Sequence, residues 1–152
     1  MKRFLMVALV GLAAAFPAAF AQEAEPFVGG GLSVGLTTGG SSLVVQGGAT
    51  ELLGPLTLRG ALDISLGGGS AGLEVAVLYP LSGDELTPYV GGGLGVGLGI
   101  AAYGLGVIGG IEYPVADNVG LFGELQPGYL IYADYADEFS VALRLGANYY
   151  FD

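Results

Sequence analysis

From Tyr89 to Gly99 the chain reads YVGGGLGVGLG. In an extended strand, Val90, Gly92, Leu94, Val96 and Leu98 share one face, while Tyr89, Gly91, Gly93, Gly95, Gly97 and Gly99 share the other. A period of two is the signature of a strand with unlike faces, and glycine at this density disfavours helix interiors. The same alternation recurs along the chain. Phe139, Val141, Leu143, Leu145, Ala147, Tyr149 and Phe151 oppose Ser140, Ala142, Arg144, Gly146, Asn148 and Tyr150. Leu56, Leu58, Gly60, Leu62 and Ile64 oppose Thr57, Arg59, Ala61, Asp63 and Ser65; Leu73, Val75, Val77 and Tyr79 oppose Gly72, Glu74, Ala76 and Leu78. Val119, Leu121, Leu125 and Tyr129 oppose Glu124 and Gln126.

Eight strands are predicted, over 27–37, 42–51, 55–66, 70–79, 87–99, 102–113, 118–131 and 139–151. They are separated by TTGGSS, ELLGP, LGGGS, PLSGDELTP, GIAA, PVADN and ADYADEF, all rich in turn-forming residues. Connections this short join antiparallel neighbours. The expected fold is therefore all-β, an eight-stranded antiparallel up-and-down barrel with short loops.

A water-soluble barrel with an apolar interior shows the same alternation, so the composition of the polar face decides between the two. Here it is mostly Gly, Ala and Ser with a few long charged groups, which suits a cramped interior better than a solvated exterior. The chain is 53 % hydrophobic and only 12 % charged, against roughly a quarter charged in ordinary soluble domains. Membranes admit only helices and closed barrels, and a spanning strand takes about 9–11 residues. All nine tyrosines lie near strand ends. Tyr79, Tyr89, Tyr113, Tyr149 and Tyr150, with Phe27 and Phe151, fall toward one rim; Tyr103, Tyr129, Tyr132 and Tyr135, with Phe139, fall toward the other. Two such levels match the aromatic girdles of a membrane-spanning barrel, here assigned to Tyr79, Tyr89, Tyr103, Tyr113, Tyr129, Tyr132, Tyr149 and Phe151.

Lys2 and Arg3, the apolar run FLMVALVGLAAAF, Pro17 and the A-x-A site AFA form an export signal. Residues 1–21 are thus expected to be a removed signal peptide and 22–152 the barrel domain. Cleavage leaves Arg59 and Arg144 against 14 acidic residues, a net charge of −12. Two separated arginines make no basic patch for nucleic acid.

The leader, the eight-strand meander, LTPYVGGGLGVG opening the fifth strand and the aromatic last strand VALRLGANYYF resemble the small eight-stranded outer-membrane barrels of the OmpA-like, OmpX-like and OmpW-like superfamily. The resemblance covers residues 22–152. It implies a cell outer-membrane location, a lipid environment, periplasmic termini, loops outside the cell and a barrel that is monomeric. It also implies recognition by the barrel assembly machinery through the C-terminal strand, whose terminal aromatic Phe151 is here followed by Asp152. The short loops leave little room for a large receptor epitope.

The chain has no cysteine and no histidine. Cysteine nucleophiles, Ser-His-Asp triads and histidine metal sites are excluded, and neither an enzyme activity nor a cofactor is expected. GLGVIG (Gly104 to Gly109) matches G-x-G-x-x-G, but a dinucleotide site needs a following helix and GIEYP follows. Asp84 and Glu85, and Asp134, Asp137 and Glu138, lack the spacing of a calcium loop and read as solvated turns. The sharpest constellation is inward-facing: Arg59, Asp63, Glu74, Glu112, Glu124 and Arg144. Charges in so narrow a lumen must pair. Glu124 and Arg144 are expected as cross-strand neighbours, and Arg59 and Glu74 as another adjacent pair a rung or two out of register. Four acids against two arginines leave a protonated acid, water or a cation to complete the balance. Three readings follow: a structural barrel plugged by Arg/Glu salt bridges, a narrow porin-like pore or conduit for ions or small apolar molecules, and a soluble exported lipocalin-like ligand-binding barrel.

Overall fold

The computed structural model describes residues 24–83, 85–99, 102–133 and 136–151. The leader, Asp84, the centre of the GIAA turn, Asp134, Tyr135 and Asp152 lie outside the described residues, so the expectations placed on them are not addressed by it. Eight strands follow in chain order: β1 (Glu25–Gly35), β2 (Ser41–Leu53), β3 (Leu56–Ser65), β4 (Ala71–Pro80), β5 (Thr87–Leu98), β6 (Ala102–Ala116), β7 (Val119–Tyr132) and β8 (Glu138–Tyr150). Each pairs antiparallel with its chain neighbour, and β1 pairs with β8 to close the barrel. No helix occurs among the described residues.

The register fixes the barrel's shape. Starting at Phe27 and stepping between paired residues, the circuit runs through Gly48, Arg59, Ala76, Gly93, Gly106 and Gly128 to Ser140 on β8. Phe27 itself pairs with Tyr150, ten residues further along β8 than Ser140. With eight strands, a shear of ten and standard strand spacings, the strands tilt by roughly 40° and the backbone radius is about 8 Å.

Strand interiors match the sequence expectation; β1 lies two residues earlier than the expected 27–37, and the other main differences lie at two bulges. β2 runs on to Leu53 through a register shift between Ala49 and Leu53, where Glu51 adopts a positive φ of 55°. The sequence places the end of the sixth strand at Tyr113, closed by Pro114. Instead β6 continues to Ala116, and Pro114 sits at a register shift against β7. Proline lacks a ladder donor and is tolerated where pairing is already irregular.

The barrel is inverted relative to a water-soluble one. Its outer face carries Val28, Leu32, Val45, Val75, Leu94, Val107, Leu125 and Leu145, all exposed. Of the four largest fully buried side chains, three are Arg59, Arg144 and Glu124. This rules out the soluble lipocalin-like arrangement, whose apolar face would line the interior. Tyr103 and Tyr113 both point outward from β6, ten residues apart. At the roughly 40° tilt that separation is about 25 Å along the barrel axis, the height of a membrane barrel's apolar band.

Candidate functional site: the charged lumen

The inward positions of β3, β4, β7 and β8 bring five charged groups into one network. Arg59 is the bridge. Its Nη1 donates to Glu124 Oε1 on the far side of the lumen, and its Nη2 donates to Glu74 Oε1 at 3.1 Å. Arg144 donates from Nη1 to Glu74 Oε1 at 3.2 Å and from Nη2 to Asp63 Oδ2 at 3.1 Å. Ser42 Oγ donates to Asp63 Oδ1 at 3.3 Å. Glu124 also accepts from the Tyr89 hydroxyl at 2.6 Å and from Gln126 Nε2 at 2.7 Å. Arg59, Glu124 and Arg144 are each at most 2 % exposed, so these charges are held by one another and by neutral donors.

Two placements differ from the simplest reading of neighbouring strands. Glu124 and Arg144 are indeed register partners on β7 and β8, and Arg59 lies one two-residue step from the position opposite Glu74. Yet the Glu124 carboxylate makes its ion pair with Arg59 across the lumen, while Arg144 reaches Glu74 and Asp63. The sixth expected member, Glu112, stands apart from this network. It accepts from Asn148 Nδ2 at 2.9 Å and from the Tyr150 hydroxyl at 2.6 Å, and Asn148 Oδ1 accepts from Gln46 Nε2 at 2.8 Å.

The aromatic residues divide by strand phase. Tyr79, Tyr103, Tyr113, Tyr129, Tyr149 and Phe151 are exposed on the outer face near the two rims, with Phe139. Tyr89 does not join them: it is 9 % exposed, points into the lumen, and its hydroxyl is held by Glu124. Tyr150 is likewise inward, against Glu112, and Tyr132 shares the inward phase of Glu124 and Gln126 on β7. Being near a turn set the height of these residues, while the parity of their position set the face. Tyr89, Gln126, Gln46, Ser42, Asn148 and Tyr150 were the functional groups left out of the charge constellation. Gln126 shares the inward parity of Glu124 on β7, and Asn148 and Tyr150 share that of Arg144 on β8; Ser42 and Gln46 pair with the inward Ser65 and Ala61 of β3, and Tyr89 is in phase with the inward Gly91 of β5.

The network lies between two cavities. One, of about 450 Å³, opens at the end formed by the β1–β2, β3–β4, β5–β6 and β7–β8 connections. Asp63, Glu74 and Gln126 form its floor, and Gly93, Gly95, Gly104, Gly106 and Gly128 form a wall without side chains. The other, of about 220 Å³, opens at the end carrying the chain termini and is lined by Phe27, Gln46, Arg59, Tyr89, Glu112, Asn148 and Tyr150. The glycines of β5 therefore serve two purposes. A Cβ at Gly91 would collide with the Val77 carbonyl and lie 2.6 Å from Leu78 Cδ2, so close packing requires glycine there. A Cβ at Gly95 would meet nothing nearer than the Leu73 carbonyl at 3.4 Å, so this glycine borders open space.

Among the described residues, no group of three or more acidic side chains is placed to hold a metal ion. Asp137 instead accepts from the Tyr132 amide at 3.4 Å, and Glu138 opens β8. GLGVIG lies wholly within β6, with no helix after it, so it forms no dinucleotide site.

No protein-family model matches the chain, and no curated protein sequence matches it. Several solved structures share its architecture. The N-terminal β-barrel domain of Pseudomonas aeruginosa OprF superposes with a TM-score of 0.61 at 15 % identity, covering 86 % of this chain and 98 % of that one. A major outer membrane protein from Thermus thermophilus gives 0.60 at 20 % identity, covering 86 % and 100 %. Neisserial surface protein A gives 0.55 at 17 % identity, covering 84 % and 94 %. The closed eight-strand meander, its inverted faces and these likenesses agree: the chain has the fold of the small eight-stranded outer-membrane β-barrels.

Proposed function

We propose that the protein is a non-catalytic outer-membrane barrel, exported by removal of residues 1–21, whose lumen is closed by the Arg59–Glu124–Glu74–Arg144–Asp63 network. The observation that carries this reading is the bridge from Arg59 on β3 to Glu124 on β7, which links opposite walls with buried, paired charges. The outer face supports a lipid environment: among the described residues no outward mid-strand position is charged, and tyrosines mark both rims. The barrel inserts as a monomer through assembly machinery that reads its C-terminal strand, and it binds no nucleic acid. Fractionation tests this directly. The protein remains with outer membranes after a high-salt wash and shows a heat-modifiable gel shift; recovery in the soluble periplasmic fraction overturns the reading.

A second reading, a narrow ion pore, is favoured by one observation. Glu124 and Arg144 face each other in register without bonding, and Arg59 already holds Glu74. Turning Arg144 onto Glu124 while Arg59 keeps Glu74 places both ion pairs along the wall and opens the lumen at little cost in pairing. Steady conductance sensitive to Arg144→Ala would support this reading over the closed one.

A further inference from the structure

The cavity at the terminal end contains a polar chain whose direction is set by Glu112. A carboxylate only accepts hydrogen bonds. Asn148 must therefore present its Nδ2 to Glu112, which turns its Oδ1 toward Gln46, and Gln46 must answer with its Nε2. Gln46 Oε1 is the end of that sequence. It has no donor among the described residues, although Gln46 is 4 % exposed and lines the cavity. Folded proteins seldom leave such an oxygen unsatisfied.

Glu112 lacks a cationic partner among the described residues. Arg144 is engaged with Asp63 and Glu74, and Arg59, which also reaches this cavity, has both terminal nitrogens committed to Glu124 and Glu74. Besides Arg59, the only other charge among the described residues of the wall is Glu51 at the mouth, which is also negative. The backbone is cut away around these groups: a Cβ at Gly120 would strike the Glu112 carboxylate, one at Gly29 would strike Asn148 Oδ1, and one at Gly110 would lie 2.5 Å from the Tyr89 ring.

We propose that this cavity binds one compact monovalent cation, an alkali-metal ion or an ammonium group, through Glu112 and Gln46 Oε1. A single carboxylate among neutral oxygens suits one positive charge; divalent sites of the calcium type gather several carboxylates. Thr50, Thr57 and Thr87 line the same cavity. The rings of Phe27 and Tyr150, with centroids 5.6 Å apart, add aromatic faces to its wall. The bound ion offsets part of the excess of acids over arginines in the lumen. The site is independent of whether the barrel conducts.

The test uses the folded barrel in detergent micelles, unfolded by urea in rubidium, ammonium or tetramethylammonium chloride at equal ionic strength. With free cation 100-fold above its dissociation constant, the unfolding equilibrium constant falls about 100-fold relative to tetramethylammonium, which is too bulky for the site. Rubidium alone acting identifies a metal-ion site, and ammonium alone acting identifies an amine site. Glu112→Gln keeps an acceptor for Asn148, offers its amide nitrogen as a donor to the Tyr150 hydroxyl oxygen, and abolishes the effect. Equal stability in all three salts, or stabilisation that survives Glu112→Gln, overturns the proposal and leaves water as the occupant. If Glu112→Gln does not fold, anomalous diffraction from rubidium in wild-type crystals decides. A peak beside Glu112 and Gln46 supports the site; its absence there, together with no stabilisation of the wild-type barrel by ammonium, refutes it.

Discussion

Glu124→Ala removes the acceptor at the centre of the lumen. Three donors lose their partner: Arg59 Nη1, the Tyr89 hydroxyl and Gln126 Nε2. Arg59 keeps Glu74 at 3.1 Å, so one of its two ion pairs survives. Breaking a buried ion pair by removing one partner costs about 3–5 kcal/mol. The cavities of about 450 and 220 Å³ on either side give water a route to the orphaned donors, which places this case at the lower end. A loss of about 3 kcal/mol raises the unfolding equilibrium constant roughly 150-fold. Urea titration of the barrel in lipid vesicles, scored by heat-modifiability, measures it. Arg59→Met completes a double-mutant cycle. With both charges gone, the double variant is more stable than the sum of the single changes predicts, by about 2 kcal/mol. A Glu124→Ala cost below about 1 kcal/mol, with strictly additive changes, would refute the claim that the bridge across the lumen holds the barrel together.

Other consequences are local. Gly91→Ala drives a Cβ into the Val77 carbonyl and costs about 1–3 kcal/mol, whereas Gly95→Ala, facing the larger cavity, leaves the urea midpoint unchanged or raised. Val75→Arg, on the outer face midway between the rims, costs about 2–4 kcal/mol in a bilayer, while Tyr103→Arg, at the rim, costs about 0–1 kcal/mol. Mass spectrometry of the exported protein finds a chain that starts at Gln22; a mass that includes Lys2 and Arg3 contradicts the leader assignment.

The strands were legible because each residue's parity is written in the sequence: Val90, Leu94 and Val96 fall outward and Gly91, Gly93 and Gly95 inward without reference to any neighbour. Ends were less legible where a bulge let pairing continue past a proline, as at Pro114. The charged residues of the lumen were recognisable one by one, but their partners were not. Which side chains meet across a barrel depends on the shear, a property of all eight registers together, and Glu124 finds Arg59 four strands away in preference to Arg144 directly opposite. Tyr89 shows the same limit. Its place near a turn suggested an interfacial ring, whereas its parity with Gly91 and Gly93 puts the hydroxyl on Glu124. The inward glycines of β5 leave room inside the barrel beside the arginines and acids. The charged groups fill the middle of the barrel and leave a cavity of about 450 Å³ above them.

Single-channel recording in planar bilayers bears most directly on the closed lumen. The wild-type barrel gives no steady conductance, and Glu124→Ala, which removes the crossing between β3 and β7, gives measurable openings. Sustained wild-type openings, lost in Glu124→Ala or Arg144→Ala, would contradict the closed barrel and leave the network as the working part of a pore.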